Sequence, residues 1–310
     1  MISGLFHILV FPGLLFLIAY SLFFSFMDRK IYARLQNRIG PHWYQPLADF
    51  LKLLGKEAIV PDHAAKKIFA LLPVLSLVAI TVSYLYIPTV QPQSLYPFDG
   101  DLIVILYLLA IPTVCFFLAG WYSTSVFATI GSVRALTQLF SYEVPLFMAF
   151  LAPALLADTW SLSGISAYYS AHPLYLLINL PAFLVAIVAC QGKLERVPFD
   201  LSEAETELAS GTFVEYSGRY YAIFRLAIDC ELVVVASLIV AVFMPQQADS
   251  IVLGFLFYVI ETMIVLFILA LIRTIMARVR IEQMVDLCWK YLTPVALVQI
   301  ILNLFLKGVL

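Results

Sequence analysis

Four stretches of this chain contain no Asp, Glu, Lys or Arg: Met1–Met27, Ile68–Phe98, Leu102–Val133 and Thr159–Gly192. Each exceeds the roughly 20 apolar residues that cross the hydrocarbon core of a bilayer as an α-helix. That core holds no water, so each backbone N–H and C=O must find its partner inside the segment, and a helix provides this. The expected fold class is therefore all-α, a polytopic membrane protein. A mean hydropathy of +0.98 agrees and argues against a soluble globular domain. The first run lacks a basic flank and is too long for the apolar part of a signal peptide, so it reads as a permanent span.

Eight transmembrane helices are expected: Leu5–Phe26, Ile68–Ile87, Leu102–Gly120, Leu136–Ala157, Leu174–Gln191, Tyr221–Met244, Ser250–Ile272 and Tyr291–Leu306. Together they make residues 1–310 a single integral membrane domain. Seventeen of the 18 basic residues then fall in or beside the loops after spans one, three, five and seven, and only Lys307 does not. The excess of Lys and Arg on one side places those loops in the cytoplasm and both termini outside the cell membrane.

Soluble-enzyme chemistry finds no support. Cys115, Cys190, Cys230 and Cys288 sit singly in or beside apolar segments, and the four histidines are scattered. No spacing suits a zinc or iron–sulfur site, and no nucleotide-binding glycine motif or nucleophile elbow occurs. No cofactor is expected in this chain itself, nor any nucleic-acid partner. A stand-alone secondary transporter is an alternative of another class. It predicts internal repeats and interrupted helices around a midplane site, and no clear repeat is visible.

Two cytoplasmic segments have a pattern of their own. In residues 45–59, Leu47, Phe50, Leu51, Leu54 and Ala58 recur at helical spacing, with Asp49, Lys52 and Lys56 opposite. This predicts an amphipathic helix at the membrane surface. The loop 192–220 gathers Glu195, Asp200, Glu203, Glu205, Glu207 and Glu215. Within it, Ser202-x-x-Glu205 has the spacing of a capping box, which would open a helix with Glu203 and Glu207 on one face.

Further acids fall within predicted spans: Glu143 in the fourth, Asp229 and Glu231 in the sixth, and Glu261 near the middle of the seventh. An ionised group at the bilayer centre costs about 2.5–3.5 kcal/mol on insertion scales, so such residues face a bundle interior or a water-filled path. Arg225 lies four residues before Asp229 and can neutralise it. Glu143, Glu231 and Glu261 have no such local partner, and no lysine lies mid-span. Carboxyls placed this way suit a proton relay.

The stretches "DRKIYARLQNRIGP", "QPLADFLKLLGKE", "GWYSTSVFATIGSVRALTQLFSYEVPL", "ERVPFDLSEAETELASGTFVEYSG" and "RVRIEQMVDLCWKYLTPVAL" resemble the eight-helix heel subunit of respiratory complex I, the H-type subunit of bacteria. The same fold recurs in membrane-bound energy-converting hydrogenases and related sulfur reductases. The resemblance covers nearly the whole chain, and its motifs occur in the family's order. It implies a subunit without a redox centre, anchoring a hydrogenase-like large subunit and an iron–sulfur small subunit on the cytoplasmic side. The iron–sulfur clusters, with or without a nickel–iron centre, belong to those partners, and antiporter-like membrane subunits adjoin it. It further implies an ion path through Glu143, Glu195, Asp200, Glu203, Glu205, Glu207 and Glu215, which the acids read above within the spans, Asp229, Glu231 and Glu261, would extend. The chamber and docking residues would be Arg29, Arg34, Arg38, Asp49, Arg134 and Arg196.

Three departures from the quinone-reducing members stand out. Only "HWY" separates Gly40-Pro41 from Gln45-Pro46, where those members carry a longer insertion. Their glutamate early in span six aligns with Ile228, which leaves Asp229 or Glu231 to replace it. Glu261 falls where they usually have a lysine. The expected function is thus membrane anchoring and coupling in a complex I-like oxidoreductase of the hydrogenase or sulfur-reducing type. The quinone-binding subunit of a quinone-reducing complex is the alternative within the family. The topology is checked with single cysteines: those near Gln93, Ser163 and Gln247 should react with an impermeant thiol reagent from outside, and those near Lys66, Thr124 and Arg280 should not.

Overall fold

The structure is a computed structural model that describes residues 2–89, 94–203, 205–245 and 250–309, with side-chain environments omitted for residues 2–5, 205, 206 and 309. The expected outside loops at Gln93 and Gln247 lie outside the described residues, as does the side chain of Glu205.

Among the described residues the chain forms fourteen α-helices and no strand. They are α1 (Ile2–Leu9), α2 (Leu14–Leu35), α3 (Gln45–Gly55), α4 (Lys66–Tyr86), α5 (Asp101–Tyr122), α6 (Val126–Ala157), α7 (Leu162–Ala171), α8 (Leu174–Ile178), α9 (Leu180–Lys193), α10 (Glu205–Leu208), α11 (Gly218–Phe243), α12 (Ile251–Ile275), α13 (Ile281–Asp286) and α14 (Thr293–Val309).

Helix α11 is the axis of the bundle. Its middle is apolar on every side, the pattern of a helix surrounded by others, and nearly all of it is buried. It packs against α4, α2, α3 and α12, while α6 packs against α5, α9 and α14. Helices α12 and α14 lie outermost, with rows of Leu, Ile, Val and Phe left exposed.

Among the described residues seven helices are long and apolar enough to cross a membrane: Phe6–Leu35, Lys66–Tyr86, Asp101–Tyr122, Val126–Ala157, Gly218–Phe243, Ile251–Ile275 and Ile281–Gly308. The expected span Leu174–Gln191 is divided at Asn179 into α8 and α9. Helix α9 has 14 residues, about 21 Å at 1.5 Å per residue, against a hydrocarbon core of about 30 Å. The break has a physical cause. The Asn179 side chain donates to Tyr169 Oη at 2.9 Å and accepts from Asn303 at 2.7 Å, and Pro181 follows at the start of α9. Helix α6 begins ten residues before the expected Leu136, and α7 was not anticipated.

The acidic loop is pinned rather than loose. Gln138 on α6 donates to Gly192 O and Phe199 O, both at 2.8 Å, and Gln191 donates to Val197 O at 2.6 Å. Further along, Gly211 has φ +53°, and a Cβ there would meet Ser202 O at 1.7 Å. Gly131 on α6 lets the backbone at Gly211 and Thr212 approach, since a Cβ at Gly131 would lie 2.7 Å from Thr212 N. Gly131→Val is therefore expected to unseat the loop at a cost of about 1–3 kcal/mol, read as a lower melting temperature of the complex and faster proteolysis within 195–215.

Candidate functional site

The C-terminal ends of α2, α9 and α12, the first half of α11 and the first half of the acidic loop enclose a cavity of about 280 Å³. Eleven of its sixteen lining residues are charged. Six are acids, Asp28, Glu195, Asp200, Glu203, Asp229 and Glu231, and five are bases, Arg29, Lys193, Arg196, Arg225 and Arg273. Desolvated charges need partners, and the cavity wall supplies them from distant parts of the chain.

Asp28, buried on α2, accepts from Arg196 of the loop and from Arg273 of α12, the latter at 3.2 Å. The Arg273 guanidinium also lies over the Tyr32 ring, 4.4 Å from its centroid, a favourable cation–π placement. One carboxylate thereby ties the first span, the loop and α12 together. Also in the lining, Lys193, the last residue of α9, is paired with Glu231 of α11, both side chains 2% exposed. Lys193 also donates to Thr113 on α5 at 2.7 Å.

Glu195 accepts from the Ser202 hydroxyl. Burial pushes its carboxyl up to about 8, an effect that the Ser202 hydrogen bond only partly offsets and that Glu203 reinforces. A carboxyl with this value exchanges protons near neutral pH. Asp200 is held from the far side: Arg278 donates to its backbone oxygen, with Nε at 2.7 Å, and lies 3.4 Å from its carboxylate.

The capping-box expectation is corrected here. Helix α10 does begin at Glu205, but the Ser202 hydroxyl turns back to Glu195 instead of capping it. Glu203 and Glu207 do not share a helix face either. Glu203 precedes α10 and lines the cavity, whereas Glu207 reaches away to Arg134 at 2.5 Å. That ion pair holds the exposed Glu207 carboxyl below its ordinary value. It lines a second, more open cleft with Arg278 and Arg280.

The absence of a partner for Glu231, expected from its neighbours within α11, is also corrected, because Lys193 approaches it from another helix. Lys193, grouped with the cytoplasmic basic residues by sequence, is a buried cation. Arg225 and Asp229 do act as each other's strongest charge interaction, one turn apart on the cavity wall. Ile228 lines the same wall, so Asp229 and Glu231 flank the position where the quinone-type glutamate aligns.

Glu143, Glu215, Glu261, Arg34, Arg38 and Asp49 lie outside the cavity lining. Glu143 is half-buried on α6, and Glu261 is half-buried on α12. Glu215 is half-buried just before α11. Arg34 and Arg38 are exposed at and beyond the end of α2. Arg29 lines the cavity and pairs with Asp49 of α3 at 2.9 Å. Burial opposes ionisation of Asp49, but hydrogen bonds from Arg29 and Gln45 outweigh it and hold the carboxyl below its ordinary value. On α3 itself Phe50 packs against the core, while Leu47, Leu51 and Leu54 are exposed.

Sequence reasoning missed Asp28, Lys193, Arg273 and Arg278 as site residues. Asp28 alone had a legible signal, an acid directly after the 27-residue charge-free run and inside a basic segment. The pairings of the other three cross more than 35 positions of sequence.

The family described as NADH dehydrogenase matches residues 7–304 of the chain. The H-type subunit of NADH-quinone oxidoreductase from Carboxydothermus hydrogenoformans is 32% identical over 308 residues, covering 95% of this chain and 86% of its own length. NADH-quinone oxidoreductase subunit 8 of Thermus thermophilus is 34% identical over 304 residues, covering 94% and 82%. Among solved structures, a chain of the membrane-bound sulfane sulfur reductase, an archaeal respiratory membrane complex, superposes with a TM-score of 0.85. It is 27% identical, with 93% of this chain and 97% of that chain covered. With its bundle of apolar helices and its charged cavity, the chain belongs to the NADH dehydrogenase family that includes the H-type subunit of NADH-quinone oxidoreductase.

Proposed function

We propose that this chain anchors the redox arm of an ion-translocating oxidoreductase of the hydrogenase or sulfur-reducing type and couples it to pump subunits. The observation that carries the reading is the cavity, about 280 Å³ with eleven charged lining residues. Sites for drug-sized ligands usually enclose about 300–1,000 Å³ behind mostly apolar walls, and a quinone with a long tail demands such walls. A small, charged chamber suits protons or a small sulfur species. The short "HWY" link is in keeping with this.

In this reading the cytoplasmic face around the cavity, with the exposed Arg34 and Arg38, receives the hydrogenase-like and iron–sulfur subunits. Helix α3 lies at the membrane surface on its exposed leucines, and α9 completes an eighth, thinner crossing, with both termini outside the cell membrane. Reduction of a nearby cluster draws protons towards Glu195, Glu203 and Asp200. Asp229 and Glu231 continue the line of carboxyls, and Glu143 passes the change into the membrane. Glu205, Glu207, Glu215 and Glu261 extend the acidic surface at either end of that path. The quinone-reducing reading is favoured by one observation, the names of the two relatives.

Supplying the purified complex with reduced ferredoxin and comparing protons, polysulfide and a soluble quinone as acceptors separates the two. Protons or polysulfide should be reduced efficiently, and quinone reduction blocked by quinone-site inhibitors would reverse the assignment. For the coupling role, Glu143→Gln keeps shape and removes charge. The variant complex should assemble and translocate ions roughly tenfold less per electron or worse, measured in sealed vesicles. Normal translocation would reduce Glu143 to a structural acid.

A further inference from the structure

Lys193 has no part in the carboxyl path as described, yet it stands at the junction of its two halves. Its buried ammonium donates to Glu231 on α11 and to Thr113 on α5. The Thr113 hydroxyl lies 3.1 Å from Tyr142 Oη on α6, and Tyr142 directly precedes Glu143. The same ammonium interacts electrostatically with Glu143 and with Glu195. Three carboxyls, from α6, α11 and the loop, thus share one cation. The other titratable groups around the Lys193–Glu231 pair, Cys190 beside Lys193 and Tyr142 and Cys115 beside Glu231, are a phenol and thiols whose ordinary values lie above neutrality. Nearby guanidiniums are engaged elsewhere, Arg196 with Asp28 and Arg225 with Asp229.

In low dielectric one ammonium compensates one carboxylate, and a second carboxylate left without a countercharge takes up a proton. We propose that Lys193 is a shared countercharge that changes partner between Glu231 and Glu143, so that a proton bound by Glu231 from the cavity releases one from Glu143 towards the membrane subunits. The balance closes on one proton. It binds the Glu231 carboxylate, the Lys193–Glu231 pair separates, and the ammonium turns towards Glu143. The Glu143 proton then leaves to a basic group of the adjoining membrane subunit. No electron moves and Lys193 keeps its own three protons. A lysine suits this role because its compact charge rides on a flexible stem with rotatable donors, and the Thr113 hydroxyl that it already meets is bonded to Tyr142, the residue before Glu143. Lys193 is here a positioning residue, and the inference rests on the coupling role of Glu143.

The test uses the whole complex in sealed vesicles, driven by reduced ferredoxin with the best of the three acceptors, and reads ions moved per electron. The double substitution Lys193→Met with Glu231→Gln removes both charges together, which spares the bundle an unpaired buried ion. It should lower the ratio by roughly tenfold or more. A merely structural pair would lower yield and turnover together and leave the ratio intact, which overturns the proposal. Lys193→Arg keeps the charge and holds its proton, so it should retain more of the ratio than the double variant; equal loss in the assembled complex points to a proton-donating lysine and also overturns it. Infrared difference spectra of the unmodified complex on reduction need no variant to fold. They should show one carboxyl protonated and another deprotonated, and a spectrum without that pair contradicts the exchange. Full translocation by Glu143→Gln would bring down the coupling role itself. Loss in Glu143→Gln with a normal ratio in the double variant would leave that role standing and remove only this inference.

Discussion

Where α9 ends against α11, the Lys193 ammonium and the Glu231 carboxylate face each other almost wholly removed from solvent. Deleting one partner of such a pair costs about 3–5 kcal/mol, because the other charge stays buried without compensation. The pair therefore constrains both helices. Thr113 brings α5 to the same point and Tyr142 brings α6, so four helices converge on one cation. The loop that carries the acids starts at the next residue, Leu194, and its path is set from there.

Elsewhere in the lining the same rule holds with the signs reversed. Asp28 is the buried anion there, and Arg196 and Arg273 approach it from the loop and from α12. Between these two fixed points Glu195 is shielded from solvent beside Ser202, and its carboxyl value near 8 comes from burial first. A loop with this much negative charge would repel itself if it were solvated. Here it is held by neutral donors, Gln138 and Gln191, and by glycines that admit backbone to backbone. Its acids are then parted to different sides, Glu203 to the cavity and Glu207 to Arg134.

Towards the membrane the bundle is uneven. Helix α11 is enclosed, while α12 and α14 present exposed apolar rows. At the other end, amides supply side-chain hydrogen bonds among α6, α14 and the α8–α9 junction: Asn303 donates to Ala152 O and to Asn179, and Gln299 donates to Ile178 O. The ion pair at that end, Lys307 with Asp158, is exposed. Neutral amides in apolar surroundings need full hydrogen bonding but carry no Born cost. Among the described residues the buried ion pairs are thus concentrated around the cavity.

The all-helical class, most of the spans and the existence of an acidic loop after the fifth apolar run were legible in the sequence, because hydropathy and charge act residue by residue and need no knowledge of neighbours. Asp229 with Arg225 was legible too, being one helical turn apart. The division of the fifth apolar run was not, since Asn179 breaks it through Tyr169 and Asn303, partners that only the packed bundle brings near. The same holds for the cavity. Lys193 reads as one more basic residue at a cytoplasmic helix end until α11 places Glu231 against it, and Asp28 reads as a helix-end acid until α12 supplies Arg273. Which residues enter the membrane follows from transfer free energies that are additive along the chain, whereas which charges become partners depends on distances that only the tertiary fold decides.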